Sequence, residues 1–244
     1  SMEKIHQYFN DWDVPNNMAI ILSGDINPDL TVDLIKQYFG TFESKEVPIF
    51  EAAVEDEITE PEYVTVTGTN TAWVNIGYRL PGIKSEDIYM MDLFDGLLNN
   101  GQAGLIDLNL IKGQKVLDAY CYGNVMKDYS VFELQGVPRE GQSLDEVKDL
   151  LLAEIEKIKS GDFEDWILKA VIKNFKLREQ EGLLYNRVRA SLMTNAFILG
   201  QQWSDVVNMK EKLNKVSKQN IVDFANKYFK DNYVVVYKEN GERN

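Results

Sequence analysis

Few residues of this chain could carry out chemistry, and their spacing limits what that chemistry could be. The sequence holds one histidine, His6, in the run Ile5-His6-Gln7-Tyr8-Phe9-Asn10. A hydrolytic zinc centre needs about three protein ligands, commonly histidines at helical spacing, and an open position for water. His6 has neither a second imidazole nor a glutamate at that spacing, so it reads as a surface helix residue. A serine or cysteine nucleophile would need a base beside it, and His6 is the one imidazole available. The single cysteine, Cys121, sits in an alternating apolar stretch. It reads as a small core residue, and with no second cysteine there is no internal disulfide. Asp25-Ile26-Asn27-Pro28-Asp29 opens like a calcium loop, but Leu30 stands where the loop needs glycine and Lys36 where it needs glutamate. Asn99-Asn100-Gly101-Gln102-Ala103-Gly104 is glycine-rich without the lysine and hydroxyl residue that end a phosphate loop, and reads as a helix stop.

The elements around these residues follow from periodicity. At the N-terminal end, residues 3–10 read as the last turns of a helix. Met18–Leu22 is an apolar run suited to a strand buried on both faces. Asn27 caps a helix that starts at Pro28 and stops at Gly40, with Leu30, Leu34 and Tyr38 on one side. Residues 46–61 are acidic, contain Pro48 and Pro61, and keep no period, which marks a linker. Beyond it, Tyr63–Thr69 and Thr71–Leu80 alternate as two strands, joined by a Gly68-Thr69-Asn70 turn suited to a hairpin. A mostly buried helix is expected over Ser85–Leu98 and a short amphipathic piece over Leu105–Ile111. A second strand pair, Val116–Met126 and Tyr129–Gln135, points Ala119 and Cys121 one way and Tyr120 and Tyr122 the other. Helices fill most of the rest: one from the Ser143–Glu146 capping box to Gly161, then Phe163–Glu179, Leu183–Leu199, Val206–Leu213 and one capped by Ser217. Tyr233–Tyr237 closes the chain as a strand.

Composition narrows the classes of function. With 244 residues and 44% hydrophobic content the chain can bury a substantial core. A formal charge of −13 opposes binding to nucleic acid or anionic lipid, where basic patches supply the affinity. No apolar run is long enough to span a bilayer. Ser1-Met2 reads as a cloning remnant.

Two helix-to-strand steps match. Tyr228-Phe229-Lys230-Asp231, leading into Tyr233–Tyr237, repeats Tyr8-Phe9-Asn10-Asp11, which leads into Met18–Leu22. The tail of one unit followed by a second, whole copy would show this pattern, and so would Tyr-Phe before Asp as a common way to end a helix. Together with the Pro15-Asn-Asn-Met strand, Gly24-Asp25 and the proline-started helix ending in Tyr38-Phe39-Gly40, it resembles the insulinase/pitrilysin family of zinc metallopeptidases over most of the chain. The resemblance implies an α+β fold, an antiparallel sheet with helices on one face, preceded by the tail of a second such unit. It assigns 1–45 to the remnant of a catalytic unit, 46–61 to a linker and 62–244 to a complete metal-free unit. It further implies a fragment of a bacterial zinc endopeptidase, periplasmic or cytoplasmic, inactive alone because the His-x-x-Glu-His motif is missing. Zinc would belong to the parent and no cofactor to this chain. The metal-free unit would face a catalytic unit of the same or a partner chain and help enclose a peptide substrate. A non-catalytic relative serving as a scaffold or assembly subunit is the alternative. Leu117-Asp118-Ala119-Tyr120 matches the end of a family segment whose tyrosine steadies the substrate carbonyl, which makes Tyr120 a candidate substrate-binding residue. The family's arginine, seven positions earlier, is replaced by Gly113, between Lys112 and Lys115, and a strand tyrosine packed on the helix layer is the competing account of Tyr120. The strand 18–22, short of its neighbours, is expected to pair with another copy or to be sheltered by residues 62–240.

Overall fold

The computed structural model describes residues 1–241, and the chain forms two compact units. One comprises Ser1–Val54 with Glu179–Val206, the other Glu55–Arg178 with the chain from Val207 on. The helical stretch 179–206 thus groups with the N-terminal residues and not with the sheet-bearing part.

The larger unit is built on five strands: β1 (Glu62–Gly68), β2 (Trp73–Pro81), β3 (Asp118–Asn124), β4 (Tyr129–Val137) and β5 (Tyr233–Asn240), in the order β1-β5-β2-β4-β3. Three pairings are antiparallel and β1–β5 is parallel. The hairpin expected between the first two strands does not form, because β5 lies between them. Val235 is fully buried, while β1 from Glu62 to Thr67 is exposed throughout. The strand that is apolar on both faces takes the interior of the sheet, and the strand rich in polar residues is left at the edge.

Alternation sets the two faces of the sheet. Val74, Ile76, Tyr78 and Leu80 of β2, with Phe132 and Leu134 of β4, point into the core. Over that face lie α3 (Met90–Leu98), α4 (Leu144–Ser160) and α9 (Lys218–Tyr228). α3 begins later than the sequence suggests. The Ser85 hydroxyl donates to Asp87 at 2.7 Å, and the same carboxylate takes Lys227 Nζ at 2.7 Å and the Tyr228 hydroxyl at 2.8 Å from α9. These side-chain bonds hold the segment before α3 in turns. Between α3 and β3 the chain makes a π-helical turn, Asp107–Ile111. The cap of α4 is as expected: Ser143 Oγ accepts from Glu146 N and Glu146 Oε2 from Ser143 N, and Gly161 ends the helix at φ 72°, where a side chain would be strained. α9 carries the same device, with Asn220 in place of glutamate.

The core is centred on aromatic rings. Phe94 of α3 stacks on Phe229 with centroids 4.1 Å apart, and Phe132, Tyr78 and Phe224 pack edge-on around Phe229. Such pairs add about 0.5–1.5 kcal/mol each beyond area burial.

The smaller unit contains α1 (Met2–Trp12), α2 (Pro28–Phe39), the end of α5 (Asp165–Gly182), α6 (Asn186–Leu199) and the start of α7 (Trp203–Val207). The next short helix, α8 (Met209–Asn214), belongs to the larger unit, so the expected 206–213 helix is broken in two. Asn27 caps α2 by accepting from Leu30 N at 3.1 Å. Arg189 Nε donates to Ser23 Oγ at 3.0 Å, and Asn16 exchanges two hydrogen bonds with the backbone of Lys45. Among its described apolar residues, however, Val14 and Ala196 alone are buried. Met18–Leu22, expected as a buried strand, joins no sheet among the described residues, and Met18, Ile20 and Leu22 are about half exposed.

Candidate functional site

With the helices packed on one face, the other face of the sheet stays uncovered, and its side chains follow from the strand register. One cross-strand row runs Val236, Asn75, Gln135, Tyr120; the next runs Glu62, Val234, Gly77, Glu133, Tyr122. Tyr120 is 38% exposed, and its hydroxyl donates to Gln135 Oε1 at 2.8 Å. It therefore stands on the bare face, and the expectation that it packs on the helix layer is corrected: Ala119 and Cys121 take the inward positions of β3. Glu133 is half-buried, and its Oε2 accepts from Asn75 Nδ2 at 2.8 Å. The Tyr122 phenol is held above its ordinary pKa, chiefly by a hydrogen bond to Glu133.

The remaining candidates are not gathered there. Gly113, in the place of the family's arginine, lies in the turn after the π-helical segment, where Lys112 Nζ is tied to Asp107 at 3.2 Å and to the Gln102 carbonyl at 2.7 Å. Cys121 is buried, with its thiol 3.2 Å from Asp95 Oδ1, and burial pushes the thiol pKa up. A thiol so placed is a poor nucleophile. His6 is exposed on α1. No group of three or more histidine, cysteine, aspartate or glutamate side chains among the described residues is arranged to hold a metal ion. The donor set of the described residues does not fit zinc. Among the described residues no helix is long and apolar enough to cross a membrane.

The bare face offers hydroxyl, amide and carboxylate groups beside β3, the last strand in the sheet order, whose Cys121 carbonyl accepts from Asn99 Nδ2 at 3.1 Å. Sequence reasoning found Tyr120 and set Tyr122 on the same side of β3, without saying which face of the sheet that is, and missed Glu133 and Gly77. The alternation Val131, Glu133, Gln135 in β4 was the available signal; its meaning depends on which strands flank β4.

Residues 1–175 match the family described as Peptidase M16 inactive domain. The chain belongs to that family. This bears out the resemblance to insulinase-like peptidases and identifies the chain as a unit of their metal-free type. Among curated proteins, the M16 chain is 20% identical over 239 residues to Zinc protease PqqE of Helicobacter pylori, covering 95% of itself and 53% of that protein. It spans about half the length of that relative. The crystal structure of a protease from Helicobacter pylori has the same fold, with a TM-score of 0.91 at 19% identity over 98% of this chain and 59% of that one. The periplasmic protease PqqL from Escherichia coli superposes with a TM-score of 0.74 at 15% identity, over 99% of this chain and 28% of that one. The mixed fold of one sheet and packed helices is thus that of M16 proteins.

Proposed function

We propose that this chain is the metal-free half of a zinc endopeptidase. The metal and the water it activates would sit on a preceding metal-bearing unit, on the same polypeptide or a partner, and this half would close over an extended peptide. The observation that carries this reading is the sheet face left bare and lined by Tyr120, Gln135, Asn75 and Glu133, in a chain of the inactive-domain family. Two further features support it. The smaller unit leaves most of its apolar side chains facing solvent, which calls for cover by another body. The Helicobacter pylori relative, about twice as long, is called a zinc protease.

Tyr120 would act by binding. Its hydroxyl would exchange its bond to Gln135 for one to a substrate carbonyl, and one such donor is worth about a hundredfold in rate or more when the charge it meets grows in the transition state. The test is hydrolysis of an internally quenched peptide by the full-length protein, by each half alone and by the recombined halves. Activity is expected from the full-length and recombined proteins and from neither half alone, with Tyr120→Phe lowering kcat/KM about a hundredfold. Full activity from the metal-bearing half alone would defeat the proposal, and an unchanged Tyr120→Phe would remove that residue from the site.

A further inference from the structure

The row Val234, Gly77, Glu133, Tyr122 has an unusual shape. Gly77 points to the bare face, and a Cβ built on it would meet nothing within 4 Å. The glycine is not there to admit a neighbouring side chain, so it leaves an open notch in the middle of the sheet. An apolar side chain borders the notch on one side and a carboxylate on the other, with a phenol one strand beyond.

The charge in the notch is uncompensated. Glu133 is fixed by the neutral donor Asn75, and no lysine or arginine among the described residues forms an ion pair with it. Arg79, the cation on the same face of β2, is already engaged: it lies 3.8 Å from Glu55 and donates to the backbone carbonyl of Asp56. A half-buried carboxylate held in place by neutral groups beside open space is complementary to a cation from outside.

Resting on the proposed peptide-holding role, we infer that Gly77, Val234, Glu133 and Tyr122 form a specificity pocket for an arginine or lysine side chain of the bound peptide. The aliphatic stem lies over Gly77 against Val234, the charged head meets Glu133, and the ring of Tyr122 offers its face to the cation. This assigns Glu133 a role in choosing substrate that is independent of where the peptide is cut.

The test uses the whole chain and two end-blocked, fluorescein-labelled peptides, identical except that one carries a central arginine and the other citrulline, its neutral isostere. Binding is followed by fluorescence anisotropy. The arginine peptide is expected to bind about tenfold more tightly, a preference that shrinks as salt is added and is lost in Glu133→Gln, whose shape is nearly unchanged. Gly77→Val, which fills the notch without touching the core, is expected to abolish the preference while the chain stays folded by circular dichroism. Equal affinity for both peptides would overturn the pocket and leave the peptide-holding role standing. An arginine preference that survives both substitutions would overturn it as well, by placing the cation elsewhere. Failure of both peptides to bind would count against the pocket and the peptide-holding role together.

Discussion

Replacing Phe229 with alanine is expected to lower the unfolding free energy by about 3–5 kcal/mol, the usual cost of removing a buried phenylalanine. Phe229 is 1% exposed and lies where Phe94, Phe132, Tyr78 and Phe224 converge, so the cavity would open at the point where α3, α9 and the sheet meet. Phe9 occupies the same place in the matching helix-to-strand step of the smaller unit, yet it is 58% exposed. Phe9→Ala is expected to change stability by about 0.5 kcal/mol or less, as exposed substitutions do. Denaturant midpoints of the two variants against the parent chain provide the comparison. Equal losses would mean that the smaller unit has a core of its own and needs no cover.

Asp95→Asn is expected to stabilise the chain at pH 7 by about 2–3 kcal/mol, and the gain should vanish in acid. Burial pushes the Asp95 carboxyl up from 3.8 to about 6, against the opposing hydrogen bond from the Cys121 thiol and the charge of Arg178 and with help from Asp92. A raised folded-state pKa favours the protonated form. Below about pH 4 the carboxyl is protonated both folded and unfolded and costs nothing; between 4 and 6 the unfolded chain ionises first; above 6 the full penalty is present. The parent chain should therefore lose stability relative to Asp95→Asn as pH rises from about 4 to 6, and hold a constant deficit above that. Denaturation curves of the two proteins across that range test this, and a deficit that does not depend on pH would show the effect to be one of shape alone.

Much of the larger unit could be read from local pattern. The alternation of β2 and β4 gives their inward residues directly, and the Ser143–Glu146 box fixes the start of α4 because both bonds form within one turn. What depends on distant partners was less legible. β5 follows β1 by more than 160 residues and still separates it from β2, so pairing by sequence order put a hairpin where none exists. Ser85 is a good cap in isolation, but Asp87 draws it and two α9 side chains into a different set of bonds. The candidate site follows the same division. Tyr120 was found through the Leu117–Tyr120 segment, whereas Glu133 acquires meaning only through its register with Gly77 and Tyr122 on two other strands.

Under the proposed function this chain acts through its surface, with a donor set too poor to hold a catalytic metal. Calorimetric titration of the purified chain with zinc tests that most directly. The expected result is no stoichiometric binding. One equivalent of zinc held at submicromolar affinity, and lost on removal of the chain's own side chains, would contradict it.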